Sequence, residues 1–198
     1  MRLIAAGRTP GVASAALRRN GPALRADDEQ AGFAMLEVLI AIVISVIGIL
    51  GMINLQARTY QAEAEAYQRS QALVIIDDIA ARLSSNRNQA ASYVRDGIGA
   101  GEPEDCIAAV TTAERDLCEI ANLLRGTGET AGTSVVGPMG RARACVTAPT
   151  ADTYVIAVVW AGIVPTAAPA SGCEAGAYGD EGLRRAVTSV VVIADLEG

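Results

Sequence analysis

The sequence predicts an α+β protein: a long N-terminal helix, apolar in its first half and amphipathic in its second, packed on a small antiparallel β-sheet. Three observations carry this. The run from Phe33 to Ile53 contains a single charge, Glu37. Good helix formers (Ala, Gln, Glu, Arg) follow it without a break to Asn86, and no proline occurs between Pro22 and Pro103. Three segments suited to strands then close the chain, at 142–147, 154–160 and 186–194.

Residues 1–32 hold Pro10, Pro22, scattered glycines and no sustained apolar period, and read as a disordered or removable leader. Residues 33–53 form the apolar half of the helix; about 21 residues at 1.5 Å each span about 30 Å, the thickness of a bilayer's hydrocarbon core. Residues 54–86 form the amphipathic half, with Leu73, Ile76, Ile79, Ala80 and Leu83 at helical spacing and a polar face opposite. Together they make one helix of about 50 residues, roughly 80 Å long.

"SSNRNQ" at 84–89 weakens that helix, and "DGIGAGEPEDC" at 96–106 ends any continuation. A globular head over 87–198 comes next. Within it, 112–125 reads as a short helix with Thr112 as N-cap and Leu117, Ile120, Ala121 and Leu124 facing inward. The stretch 126–140 is a loop holding a short extended piece at 134–136. In the second strand Tyr154, Ile156, Val158 and Trp160 alternate with Val155, Ala157 and Val159, so both faces are apolar. A loop of small residues, 161–182, leads to the β-branched third strand. No internal repeat is visible.

The 198 residues carry net charge −6, sixteen arginines with no lysine, and no histidine. The missing histidine removes His-based triads, His metal sites and HExxH proteases. The acidic balance argues against nucleic acid as a partner. Residues 1–32 are net basic, with five arginines against three acids, whereas the rest holds eleven arginines and nineteen acids. That asymmetry suits a cytoplasmic N-terminus and an exported C-terminal part. All four cysteines (Cys106, Cys118, Cys145, Cys173) lie on the acidic side, where an even count points to two disulfides. Three connectivities are possible; the expectation is local pairing, Cys106–Cys118 and Cys145–Cys173. No CxxC occurs, so a zinc site is disfavoured.

Glu37 has three local readings. A carboxylate in the first turn of a helix is favoured by the helix dipole. An ion pathway normally needs several spans, and this chain has one. The third reading needs a cut after Gly32, which would give Phe33 a new α-amino group one turn from Glu37. A cation on a neighbouring helix could then meet the carboxylate and set the axial register of an assembly.

Gly32-Phe33-Ala34-Met35-Leu36-Glu37 before a long apolar run resembles the class III signal of type IV pilins and type II secretion pseudopilins. The resemblance implies cleavage after Gly32 by a prepilin peptidase, methylation of Phe33, and Glu37 as the acid that recruits and registers subunits. "GILGMINLQARTYQAEAEAYQRSQALVIIDDIAARLSSNR", "ERDL", "YVIAVVW" and "LRRAVTSVVV" are similar to the PilV-type minor pilins, the type IV pilus modification proteins. That similarity covers residues 33–194 and is loose outside the stem. Two features depart from the family pattern: the leader is long, with acids immediately before the cut, and the stem lacks the proline common in major pilins.

The resemblance further implies a non-enzymatic minor pilin without a cofactor, held in the inner membrane with a periplasmic head and then carried into an extracellular pilus. Its implied roles are pilus assembly, twitching motility and cell adhesion. Its implied partners are the prepilin peptidase, other minor pilins, the major pilin and a tip adhesin. A minor pseudopilin and a non-polymerising, signal-anchored periplasmic binding domain are the alternatives.

Other features have plainer readings. Gly48 and Gly51 serve either stem flexibility or close packing with Ala41 and Ser45, or are simply common membrane-helix glycines. "GIGAG" and "GTGETAG" lack the strand and spacing of a phosphate loop. Asp77-Asp78 reads as a solvated face, Trp160 as sheet core in preference to a sugar-stacking site, and Arg184-Arg185 as an exposed turn pair. Nothing assembles into a catalytic or metal site.

Overall fold

The computed structural model of the chain describes residues 30–128, 130–131, 134–135 and 139–194, with side chains over 34–128 and 139–194. The expected leader lies outside them up to residue 29, as does part of the 126–140 loop. The chain divides into two compact units, after Gly51. Helix α1 (Gln30–Ser85) begins in the first and ends in the second. A 3-10 turn (Arg87–Tyr93), strand β1 (Arg95–Ile98) and helix α2 (Thr112–Arg125) come after it. Next are the two-residue pair β2 (Thr130–Ala131) and β3 (Ser134–Val135), then β4 (Arg143–Thr150), β5 (Thr153–Ala161) and β6 (Arg184–Val192).

Strands β1, β4, β5 and β6 form one antiparallel sheet in the order β1-β4-β5-β6. Hence the layout is α+β, a long helix packed on a small four-stranded sheet, as its sequence predicts. β5 sits between two neighbours and is covered on both faces. On one face Tyr154, Ile156, Val158 and Trp160 join the main core with Ala72, Ile75, Ile76, Ile79 and Leu83 of α1 and Leu117, Ile120 and Leu124 of α2. On the other, Ala157 and Val159 pack with Cys145, Cys173 and Tyr178. The two-fold apolar alternation of β5 thus reports two separate clusters.

Four local expectations change. Thr111, not Thr112, caps α2: its side chain accepts from the Glu114 N–H at 3.1 Å. The Glu114 carboxylate accepts from the Thr111 N–H at 3.0 Å, so the box is reciprocal. At the other end Gly126 adopts φ 74°, the left-handed cap that glycine supplies without steric cost. Leu73 is 46% exposed, while Ala72 and Ile75 turn inward, so the buried arc of α1 is rotated away from Leu73. β1 stands where the sequence reading only ends the helix and assigns no strand; its four residues include Arg95, Asp96 and Gly97, and only Ile98 reaches the core. Arg184 is 3% exposed and is no turn residue.

Arginines fasten the pieces. Arg184 donates to Glu181 at 2.7 Å and to the carbonyls of Ser171 (2.7 Å) and Cys173 (3.2 Å), holding the loop before β6. Arg185 reaches Glu65 of α1 at 2.9 Å, and the same carboxylate oxygen accepts from the N–H groups of Ile163 (3.2 Å) and Val164 (3.4 Å). A Cβ on Gly162 would lie 2.7 Å from the Arg185 guanidinium carbon, so glycine there makes room for the link. Near the end of α1, Arg82 binds Asp78 (3.1 Å), Asp116 (2.8 Å) and Glu119 (2.7 Å), tying α1 to α2. Tyr93 donates to the other oxygen of Asp116.

Partial burial works against ionisation of Glu65, but the Arg185 guanidinium and the two N–H groups outweigh it and hold the carboxyl below its ordinary value of 4.5. As pH falls, the unfolded chain therefore takes up its proton first. The Glu65 contribution is complete above about pH 4.5 and is lost as pH falls through the lower folded-state value. Urea unfolding of wild type and Glu65→Gln should differ at pH 7 and converge under acid; a pH-independent gap would contradict the ionic origin. In the same assay Ile79→Ala should cost about 2–5 kcal/mol, whereas Leu73→Ala should stay within about 0.5 kcal/mol.

Candidate functional site

The candidate site is the first half of α1 and the turn that begins it. From Met35 to Leu55 the large apolar residues are exposed on every side of the helix, Met35 at 73% and Leu55 at 67%. A helix apolar all round has no face suited to water and requires either lipid or other helices around it. The 18-residue window of highest hydropathy averages 2.8, and none of it is buried within the chain. Length and composition fit a membrane span.

Two hydroxyls along this helix are accounted for locally. Ser45 donates to the Ala41 carbonyl at 2.7 Å, and Thr59 to Leu55 at 3.1 Å, so their hydroxyls need no water. Glu37 is exposed and has no such neighbour carbonyl to use, since a carboxylate only accepts. Four residues before it, one turn along the same face, stands Phe33. The backbone is already helical at Gly32 and Phe33, whose side chains lie outside the described ones. Gly48 and Gly51 lie within the continuous helix, and a Cβ at either would meet nothing within 4 Å. Among the described residues no packing calls for glycine at these two positions.

The head carries two disulfides, Cys106–Cys118 and Cys145–Cys173, closing separations of 12 and 28 residues. The first joins the segment before α2 to α2 itself; the second ties β4 to the loop before β6. Beside the second, the Tyr178 hydroxyl donates to the Arg141 carbonyl at 2.8 Å, and burial pushes it up to about 12. Arg141 stacks over the Tyr178 ring at 5.1 Å. Trp160 is 3% exposed with its indole N–H on Gln68 at 3.2 Å, which makes it core and not a sugar platform. Asp77 is solvated, while Asp78 belongs to the Arg82 cluster. Among the described residues no group of three metal-ligating side chains occurs.

Sequence reasoning does not find the Glu65–Arg185 link or the Arg82 hub. Asp78 and Arg82 at i, i+4 are visible as a helical pair. The partners of Arg82 on α2, and the 120-residue separation of Glu65 from Arg185, depend on tertiary packing and leave no periodic trace.

Residues 28–53 match the family model of the prokaryotic N-terminal methylation motif. No curated protein matches the chain, and no solved structure does. The matched segment includes Gly32, Phe33, Glu37 and the whole apolar run. Proteins with this motif are structural and not enzymes, and the apolar helix fits membrane anchorage. The match supports a type IV pilin-like or pseudopilin protein that is processed by prepilin peptidase and assembles with other pilins.

Proposed function

We propose that the chain is a PilV-type minor pilin of a type IV pilus. The observation that carries this reading is the methylation motif over 28–53, lying on a helix that exposes apolar side chains all round and continues into a disulfide-bonded head. In this reading residues 1–32 are the leader and prepilin peptidase cuts after Gly32. The new Phe33 terminus is methylated, and residues 33–53 hold the subunit in the inner membrane. Residues 54–86 carry the head from 87 onward into the periplasm, where the cysteines oxidise. The pilus later takes the subunit outside the cell.

Assembly rests on Glu37. A carboxylate in hydrocarbon costs roughly 2–3 kcal/mol on insertion scales. The Phe33 amine of a neighbouring subunit removes much of that penalty only at the correct axial offset. The charge therefore acts as a register mark. Gly48 and Gly51, with Ala41 and Ser45, give neighbouring stems a small-residue surface for close approach. Other minor pilins, the major pilin and a tip adhesin are the partners of this reading.

The test is the intact mass and N-terminal sequence of the protein made with and without a prepilin peptidase. The expected product begins at methylated Phe33 only when the peptidase is present; an uncut chain would overturn the proposal. A requirement for protein secretion in place of twitching would assign the same stem to a pseudopilus. Glu37→Ala should leave the amount in the membrane unchanged and reduce incorporation into sheared filaments to background. Normal incorporation of that variant would remove the register role.

A further inference from the structure

The sheet ends on two unlike edges. β1 closes one side with four residues that include Arg95, Asp96 and Gly97, and its register against β4 is irregular. Shortness, charge and irregularity are the usual defences of an exposed edge. β6 closes the other side with nine residues in unbroken register against β5. From Ala186 to Ala194 its sequence, AVTSVVVIA, has no charge, proline or glycine. Val190 is 62% exposed and Val192 68%.

The backbone shows which groups stay open. The Ile193 N–H donates to the Asp152 carbonyl at 2.8 Å, and the Leu183 carbonyl accepts from the Gly162 N–H at 2.7 Å. Odd positions of β6 therefore turn toward β5, and in an antiparallel ladder the intervening positions turn the other way. The N–H and C=O groups of Ala186, Thr188, Val190 and Val192 thus point off the sheet, and no described strand or side chain pairs with them. At Arg184 the edge is closed, since its N–H is held by the Glu181 carbonyl. Such a row of alternating donors and acceptors matches one kind of ligand, an extended backbone. The side chains of that ligand would lie beside Thr188, Val190 and Val192 on one face. On the other they would meet Val187 and Val191, which pack at the rim of the main core. Neither face offers a charge over this stretch, so the segment that fits is itself uncharged.

Symmetry decides whose backbone it is. Antiparallel pairing of β6 with a second copy places a two-fold axis normal to the sheet. α1 lies against the sheet, so that axis reverses it, and the ends leading to the two apolar runs point opposite ways. Two chains anchored in one membrane cannot meet like that. Parallel pairing also fails. Both copies offer even positions, whereas a parallel ladder sets the positions of one strand against the intervening ones of the other. The one-residue slip this needs breaks the two-fold that closes a dimer.

We propose that the β6 edge accepts an uncharged, extended segment of a different protein as a further strand of the sheet. The exclusion of a second copy rests on the membrane-anchored reading of α1; acceptance of a strand at this edge does not.

The experiment places a photo-reactive amino acid at position 192 of the full chain in cells that express it natively, with position 148, exposed on β4, as control. The expected result is an adduct with another protein at 192 and not at 148, joined through a segment without charged residues. Val190→Pro deletes an outward N–H and leaves every bond to β5 in place. It should lower the adduct about tenfold or more. Val190→Thr keeps the N–H and the β-branch and should stay within about twofold of wild type. Both variants are checked for the two disulfides by thiol counting, and Thr188→Pro takes the place of Val190→Pro if that variant fails the check. No adduct at 192, equal labelling at 148, indifference to proline, or joining to a charged segment or a second copy would overturn the proposal. N-terminal sequencing of the same molecules reports separately on the filament reading.

Discussion

One stripe on one helix has to be covered: Ala72, Ile75, Ile76, Ile79 and Leu83, none of them more than 3% exposed. Burying each large member is worth about 1.5–3 kcal/mol, so the stripe rivals the whole net stability of a small domain. The sheet exists in this form because β5 offers a matching row, Tyr154, Ile156, Val158 and Trp160, and because α2 closes the flank with Leu117, Ile120 and Leu124. The ionic contacts stand at the margins of that contact and give it direction. Glu65 meets Arg185 toward one end of the stripe, and Arg82 gathers three carboxylates at the other.

The same helix meets opposite demands along its length. Up to about Leu55 its large apolar side chains are exposed on every side; from Glu65 onward one face is dry and the other carries charge. A single unbroken backbone suits both. In hydrocarbon a helix satisfies its own N–H and C=O groups. In the head its regularity lays residues three and four apart against the sheet. What distinguishes the halves is side-chain chemistry.

Much of this is legible in the sequence because it is periodic. The apolar run, the helical spacing after it, and the alternation of β5 each repeat often enough to outvote local exceptions. The apolar face of α2 marks its bounds, yet its cap lies one residue before the one expected. Thr111 and Thr112 are chemically alike, and only Glu114 three places on distinguishes them. β1 escapes a sequence reading because four residues with two charges and a glycine carry no strand pattern; pairing with β4 creates it. Arg184 has the look of a surface residue because arginine usually is one, and the Glu181 and loop-carbonyl partners that make burial tolerable are a matter of folding. At the candidate site the order reverses. Gly32, Phe33 and Glu37 stand out through their resemblance to a known motif, which residues 28–53 match, and not through internal contacts.

The two ionic fastenings of α1, at Glu65 and at Arg82, lie 17 positions apart on one rigid rod. A helix advances about 100° per residue. Adding or deleting a single residue between them would swing one carboxylate or guanidinium a quarter-turn or more away from its mate and carry the intervening isoleucines out of the core. The interval is therefore a ruler whose length natural variation cannot alter by one. The loop from Gly162 to Asp180 is pinned midway, by Arg184 at Ser171 and by the Cys145–Cys173 disulfide, and its exposed stretch between Val164 and Ser171 is where a change of length disturbs least. Diversity in this molecule has a place to accumulate, and it is the loop beside the sheet and not the rod beneath it.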